Sequence, residues 1–125
     1  MKDHRVYMVH ILEAIEKIRR YTANGKDSFF AQEVIQDAVV RNLEIIGEAA
    51  KRVPPEARAS YPNISWKGMA GLRDVLIHDY EGLDLVRIWQ VVESDLPLLQ
   101  DAIQNSLPPL DQIEREIAED EPSSP

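Results

Sequence analysis

The sequence has 125 residues, 44% of them hydrophobic, a length and composition that predict one compact domain with a single core. It contains no cysteine, which excludes disulfides, thiolate metal sites and cysteine nucleophiles and fits a reducing cytoplasm. The formal net charge of −8 argues by itself against a nucleic-acid partner, because phosphate binding depends on clustered Lys and Arg.

The acidic charge is concentrated near the C-terminal end. Residues 111–121 hold six carboxylates and one arginine, a net charge of −5, which leaves −3 for the rest of the chain. The residues outside 111–121 are close to neutral in net charge and can still form a local basic cleft, above all if two copies of the chain combine their arginines. The composition therefore does not exclude RNA binding.

Apolar residues recur at helical spacing through most of the chain, and no alternating stretch is long enough for a strand. The first predicted helix covers residues 6–24, and Gly25 is placed to end it as a C′ residue. A second helix is predicted from a cap at Asp27 or Ser28 to residue 52, where a pair of prolines ends it.

Two further helices complete the prediction. The third runs from residue 66 to about 79, with Ser65 as its N-cap. The fourth begins after Asp84 and carries the most regular apolar stripe of the chain. Pro97 lies inside this stripe, so we expect a kink or a restart there. Together these elements predict an all-α, antiparallel four-helix bundle.

The helical domain is predicted to span residues 1–107. Residues 108–125 form an acidic segment that we expect to be flexible, apart from a transient helix around 113–117. No stretch approaches the roughly 18 uninterrupted apolar residues of a membrane span. No apolar signal segment precedes the first helix, so we expect a soluble cytoplasmic protein with no membrane partner.

Residues 71–80 stand apart, because they combine Arg73, Asp74, His78 and Tyr80 in one short helical stretch. Asp74 and His78 are four residues apart and therefore share a face. Arg73 and Tyr80 fall within about 20° of each other if the helix persists, whereas Arg73 and His78 diverge by about 140°. The arginine and the histidine can meet around one substrate only from adjacent faces or across an interface between two copies.

Such a set suits cleavage of a phosphodiester by the 2′-hydroxyl of the RNA itself. Histidine titrates nearest to neutral pH and can move the proton, while the planar fork of arginine binds phosphate oxygens. Asp74 could orient the imidazole, and the Tyr80 hydroxyl could donate to a phosphate or accept a modification. No metal or cofactor is required. Taken singly, each residue is more readily explained as structural, for example His78 as a cation near a helix C-terminus.

The spacing of Arg73, His78 and Tyr80 resembles the R-x4-H-x-Y motif of the HepT-like proteins in the HEPN superfamily. Asp74 occupies the position directly after the arginine, where HEPN ribonucleases commonly carry a polar residue. The resemblance covers roughly residues 5–107. It includes three further segments, which are 41–49, 66–72 and 91–99.

This resemblance implies the toxin of a two-gene, type VII-like toxin–antitoxin module. Such toxins are similar to metal-independent endoribonucleases that act on RNA as homodimers, with both motifs lining one cleft. Arg73 and His78 would be the catalytic residues and Asp74 would support them. The partner is typically a minimal nucleotidyltransferase, the MNT antitoxin, which transfers AMP to the motif tyrosine. That residue would be Tyr80, which would also position the substrate.

Two other classes of function stay open at this point. The chain could be a non-catalytic helical subunit that holds a nucleotidyltransferase partner and binds a nucleotide, or a purely structural bundle. Two side chains also allow more than one interpretation each. Asn42 is either a satisfied polar residue inside the bundle or part of a cleft, and Trp89 is better explained by a core or dimer-interface position than by base stacking.

Overall fold

The computed structural model describes residues 3–76 and 82–120, and the regular elements within them are all helices. In chain order these are α1 (Arg5–Tyr21), α2 (Lys26–Ala31), α3 (Glu33–Arg52), α4 (Pro55–Arg58), α5 (Trp66–Ala70), α6 (Leu72–Leu76), α7 (Leu85–Gln90), a π-helical segment (Val91–Asp95), α8 (Leu96–Ser106) and α9 (Leu110–Asp120). None of the helices in this part of the chain is long and apolar enough to span a bilayer.

Four helical layers surround one core. The longest helices, α1 and α3, pack along each other, and α3 is also covered by α5 and α6. The fourth layer is the run from α7 through the π-helical segment to α8, which contacts both α6 and α1. The all-α fold predicted from the sequence is thus confirmed. Fully buried apolar side chains from all four layers fill the centre, among them Met8, Ile11, Ile15, Ile18, Leu43, Ile46, Leu76, Ile88, Leu96 and Ile103.

The first turn between helices differs from the prediction. Helix α1 ends at Tyr21, and the Thr22 hydroxyl donates to the carbonyl of Ile18 at 2.8 Å, which satisfies one acceptor of the last turn. Gly25 adopts a φ of 92° and is the N-cap of α2. Its predicted role as the C′ stop of the first helix is therefore wrong, although its left-handed conformation does require glycine.

The predicted second helix is divided in two. The chain becomes extended at Gln32 (φ −122°, ψ 109°), between α2 and α3. The side-chain amide of Gln36 donates to the carbonyls of Phe29 and Phe30 at 3.0 and 3.2 Å, so the end of α2 keeps its acceptors satisfied. Phe29 is fully buried. The break thus allows a short helix to bury an aromatic ring that a continuous helix would place elsewhere.

The predicted third helix is also divided, and its predicted end near residue 79 lies outside the described residues. It begins after Ser65 as expected, but Gly71 separates α5 from α6, and the chain after Leu76 lies outside the described residues up to Gly82. The predicted cap of the fourth helix is confirmed, since the Asp84 carboxylate accepts the N–H of Arg87 at 3.1 Å.

The restart predicted at Pro97 is confirmed. The helix widens into the π-helical segment before α8, and Pro97 lies in the first turn of α8. Proline interrupts the regular pattern of helical hydrogen bonds, and the wider turn of the π-helical segment just before it fits this interruption. The apolar stripe therefore continues through the proline with a change of helical pitch.

The acidic C-terminal segment differs from the flexible chain predicted from composition. Residues 110–120 form helix α9, whose Ile113 is fully buried. The Glu116 carboxylate lies 2.6 Å from the guanidinium of Arg5 at the start of α1. One apolar anchor and one ion pair thus hold a helix that polar composition alone did not predict. Residues 121–125 lie outside the described part, and the domain boundary at 107 stays a prediction.

Arg5 joins α9 to the first residues of the chain, because it also contacts the Asp3 carboxylate at 2.6 Å. This hydrogen bond lowers the pKa of Asp3 from its ordinary value of 3.8. Hydrogen bonds from Gln112 and then from Arg5 lower the pKa of Glu116 from 4.5. Both carboxylates therefore stabilise the folded state at neutral pH, and this stabilisation is lost as the pH falls through the lowered pKa values.

Candidate functional site

A groove of about 300 Å³ lies between α3 and the short helices α5 and α6. Its described lining consists of Val40, Leu43, Glu44, Gly47, Glu48 and Lys51 from α3, with Ala70, Leu76 and Leu83 opposite. The α3 residues follow one another at intervals of three, one, three, one and three, which is a single helical face. One face of one helix therefore forms a continuous wall of the groove.

The base of the groove depends on Gly47. A Cβ atom at this position would lie 3.2 Å from the carbonyl oxygen of Met69 in α5, which is closer than side-chain carbons normally approach backbone. The missing side chain lets α3 and α5 come together. Gly47 itself is buried, as is the neighbouring Leu43, so the groove has an apolar floor.

The rim of the groove is charged. Glu44 is paired with Arg41 one turn earlier on α3, with 3.8 Å between the nearest carboxylate oxygen and guanidinium nitrogen. Glu48 and Lys51 follow on the same face, and both side chains are exposed. Among the described lining residues, the groove thus offers two carboxylates towards its middle and one ammonium group at the end of α3.

The residues on either side of the segment 77–82, which contains His78 and Tyr80, lie at this groove. Leu76 and Leu83 both line it, and residues 77–82 lie between them in sequence. The carbonyl of Leu76 accepts the N–H of Asp84 at 3.3 Å. The chain before and after residues 77–82 is therefore held side by side at the wall formed by α3.

The residues predicted to be catalytic fall mostly outside the described part of the chain. Arg73 belongs to α6, but its side chain is not among those described, and His78 and Tyr80 lie in the undescribed residues 77–81. The predicted meeting of Arg73 with His78 therefore stays a prediction. Asp74 is described, and its side chain is exposed on α6.

Sequence reasoning did not identify the groove residues on α3 as one wall. The signal was present, because Glu44, Glu48 and Lys51 recur with Gly47 at helical spacing. What the sequence could not provide was the partner surface, since that depends on how α5 packs onto Gly47. Asn42 has a structural role: it is 6% exposed, and its side-chain amide donates to the Ala38 carbonyl at 2.8 Å.

Trp89 and a second groove lie away from the groove along α3. The indole of Trp89 packs on Phe29, with ring centroids 5.4 Å apart, and donates to Glu93 at 3.2 Å, which agrees with its predicted place at the edge of the core. A second groove of about 350 Å³ lies between α5 and α8, where Asp95 is the charged residue of its described lining. In residues 3–76 and 82–120, no three His, Asp or Glu side chains are grouped so as to hold a metal ion.

Comparison with known proteins shows that most of this chain is similar to one family. The family model for "Ribonuclease HepT-like" matches residues 11–113. A probable ribonuclease HepT of Thermococcus cleftensis is 41% identical over 100 residues, which are 79% of this chain and 91% of the relative. A Methanocaldococcus jannaschii protein named "Gamma-glutamylcyclotransferase and putative RNase" is 47% identical over 111 residues. That match covers 88% of this chain but only 50% of the relative's length. No solved structure is a significant match.

Proposed function

This chain belongs to the ribonuclease HepT-like family, and from that premise we propose that it is an endoribonuclease that cleaves RNA without a metal ion. One observation carries the location of the reaction: Leu76 and Leu83, which flank the segment 77–82 that contains His78 and Tyr80, both line the groove along α3. The hydrogen bond between Leu76 and Asp84 supports the same placement, because it keeps both ends of that segment at the groove.

The proposed reaction uses three residues of the motif. His78 takes the proton of a ribose 2′-hydroxyl, whose oxygen then forms a bond to the adjacent phosphorus. The bond from phosphorus to the 5′-oxygen breaks, and that oxygen takes a proton from solvent water, while protonated His78 afterwards releases its proton to solvent. The products are a 2′,3′-cyclic phosphate and a 5′-hydroxyl. The Arg73 guanidinium offsets the charge that develops on the phosphate oxygens, and Asp74 supports the histidine.

We also propose that the active form is a homodimer in the cytoplasm. Two apolar side chains next to the motif are exposed, Leu83 by 37% and Val86 by 60%. Contact between two copies through this surface would remove them from water. It would also bring the motif of one copy towards that of the other, which answers the divergence of about 140° expected between Arg73 and His78 on one helix.

The experiment that tests the function is an RNA cleavage assay with the purified, unmodified chain in the presence of EDTA. We expect RNA to be cut and the fragments to carry cyclic phosphate ends. Cleavage that appears only when a divalent cation is added would contradict the metal-independent reaction. An absence of cleavage in both conditions would favour the alternative of a helical subunit that binds a nucleotidyltransferase.

We further propose that the chain is the toxin of a toxin–antitoxin pair and that an MNT-type nucleotidyltransferase transfers AMP to Tyr80. The added phosphate is negative and bulky, so it opposes an RNA phosphate both electrostatically and sterically. After co-expression with such an enzyme, mass spectrometry is expected to show one or more AMP groups on Tyr80 and none on a Tyr80→Phe variant. Neutralisation of the toxin without any added mass would instead indicate inhibition by occlusion.

A further inference from the structure

We propose that Lys51 forms a second phosphate site for the RNA strand, at the end of the groove away from the motif. The inference rests on the proposed function, since it assigns a position to the same substrate. The groove is walled by one face of α3, and Lys51 is its last residue in chain order. A strand whose scissile phosphate lies at the motif would pass along this wall towards Lys51.

The direction follows from the packing of α3 on the facing helices. Gly47 meets Met69 of α5, and α6 also packs on α3. Only five residues of α3 follow Gly47, whereas fourteen precede it, so we infer that α6 packs along the part of α3 before Gly47. Lys51 is four residues after Gly47 and lies about 6 Å further along the helix axis.

The length of the groove suits more than one nucleotide. Leu43 and Lys51 are eight residues apart, which corresponds to about 12 Å along α3. A stacked nucleic-acid strand rises by about 3.4 Å per nucleotide. A phosphate near Lys51 would therefore belong to a nucleotide a few positions away from the bond that is cut.

The charges around the end of α3 leave Lys51 available for an anion. The Arg58 guanidinium donates to the carbonyls of Ala50 and Val53, both at 2.9 Å, and so offsets the negative end of the helix dipole. Arg52 adds a second exposed cation next to Lys51. Among residues 3–76 and 82–120, no carboxylate forms an ion pair with Lys51.

The two carboxylates of the groove limit where a phosphate can bind. Glu44 and Glu48 line its middle and repel phosphate oxygens, so the phosphate is favoured at the Lys51 end. Carboxylates accept hydrogen bonds, and the ribose 2′-hydroxyl and base amino groups can donate them. The wall thus suits a strand that turns its hydroxyls towards Glu48 and a phosphate towards Lys51.

Equilibrium binding of a short single-stranded oligouridylate to a His78→Ala protein tests this assignment without cleavage. Lys51→Gln is expected to raise the Kd roughly two- to fivefold at low salt, as for loss of one exposed ion pair. The slope of log K against log salt should fall by about 0.7, the value for one phosphate contact on a single strand. Lys51→Arg should keep the parent Kd. Lys17→Gln, which removes an exposed lysine from α1, is the matched control and should change neither quantity.

A second variant is expected to change the Kd in the opposite direction. Glu48→Gln removes a repulsive charge next to the proposed phosphate, so it should lower the Kd while Lys51→Gln raises it. If wild type cuts RNA but Lys51→Gln binds with the parent Kd and salt slope, the phosphate site is wrong and the ribonuclease function stands. If the His78→Ala parent binds no RNA and wild type cuts none, both proposals are overturned.

Discussion

His78→Ala is expected to lower the rate of RNA cleavage in EDTA by about 10²–10⁴-fold, the contribution typical of a general acid or base. Alanine cannot accept the 2′-hydroxyl proton, whereas the Arg73 site for the phosphate would be retained. Initial rates with excess enzyme over RNA measure the chemical step directly. Binding of RNA should change little, so the loss should appear in the maximal rate rather than in the protein concentration needed to reach it.

The matched control is His10→Ala, which removes an exposed imidazole from α1. It should leave the cleavage rate unchanged, and thermal unfolding should show that both variants are folded. A His78→Ala preparation that cuts RNA as fast as wild type would show that the activity comes from other residues or from a contaminating nuclease. In both cases the observed cleavage would not depend on His78, and the proposed mechanism would be contradicted.

Leu76→Ala is expected to lower the free energy of unfolding by about 2–5 kcal/mol, the usual cost of truncating a buried leucine. Leu76 is 2% exposed, and the α3 wall packs against α6 at this point. The loss should be measured by denaturant unfolding at constant m-value. We also expect slower RNA cleavage under conditions in which the variant is fully folded, because Leu76 lines the groove and is two residues before His78 in sequence.

Leu98→Ala is the control for this variant, since Leu98 is 71% exposed on α8. It removes the same atoms from a leucine and should change stability by less than about 0.5 kcal/mol. Leu76→Ala could instead change the free energy of unfolding as little as Leu98→Ala does, or lower it without slowing RNA cleavage. Either result would show that the Leu76 side chain does not hold the motif at the groove.

The parts of the fold that the sequence predicted correctly are those decided by local chemistry. The Asp84 cap needs only a carboxylate three residues before a backbone amide, and the restart at Pro97 needs only the missing amide of proline. The break at Gln32 was missed because burial of Phe29 and the bonds from Gln36 decide it. Helix α9 was missed because Ile113 and Glu116 are stabilised by α1, which is far away in sequence.

The candidate site was likewise predicted only in part from the sequence. Arg73, Asp74, His78 and Tyr80 were selected by their resemblance to the HepT-like motif, because a short motif is visible without a fold. The groove was not predicted, since a wall along α3 becomes a site only when Gly47 admits the backbone of α5. Lys51 carries no local signal that separates it from any other exposed lysine.

The contact between Arg5 and Glu116 links the beginning of the described chain to its last helix. An Arg5→Ala substitution would therefore act on a helix 111 residues away in sequence, because it leaves α9 with Ile113 as its buried contact. Amide hydrogen exchange should then become faster in residues 110–120 while α3 keeps its protection.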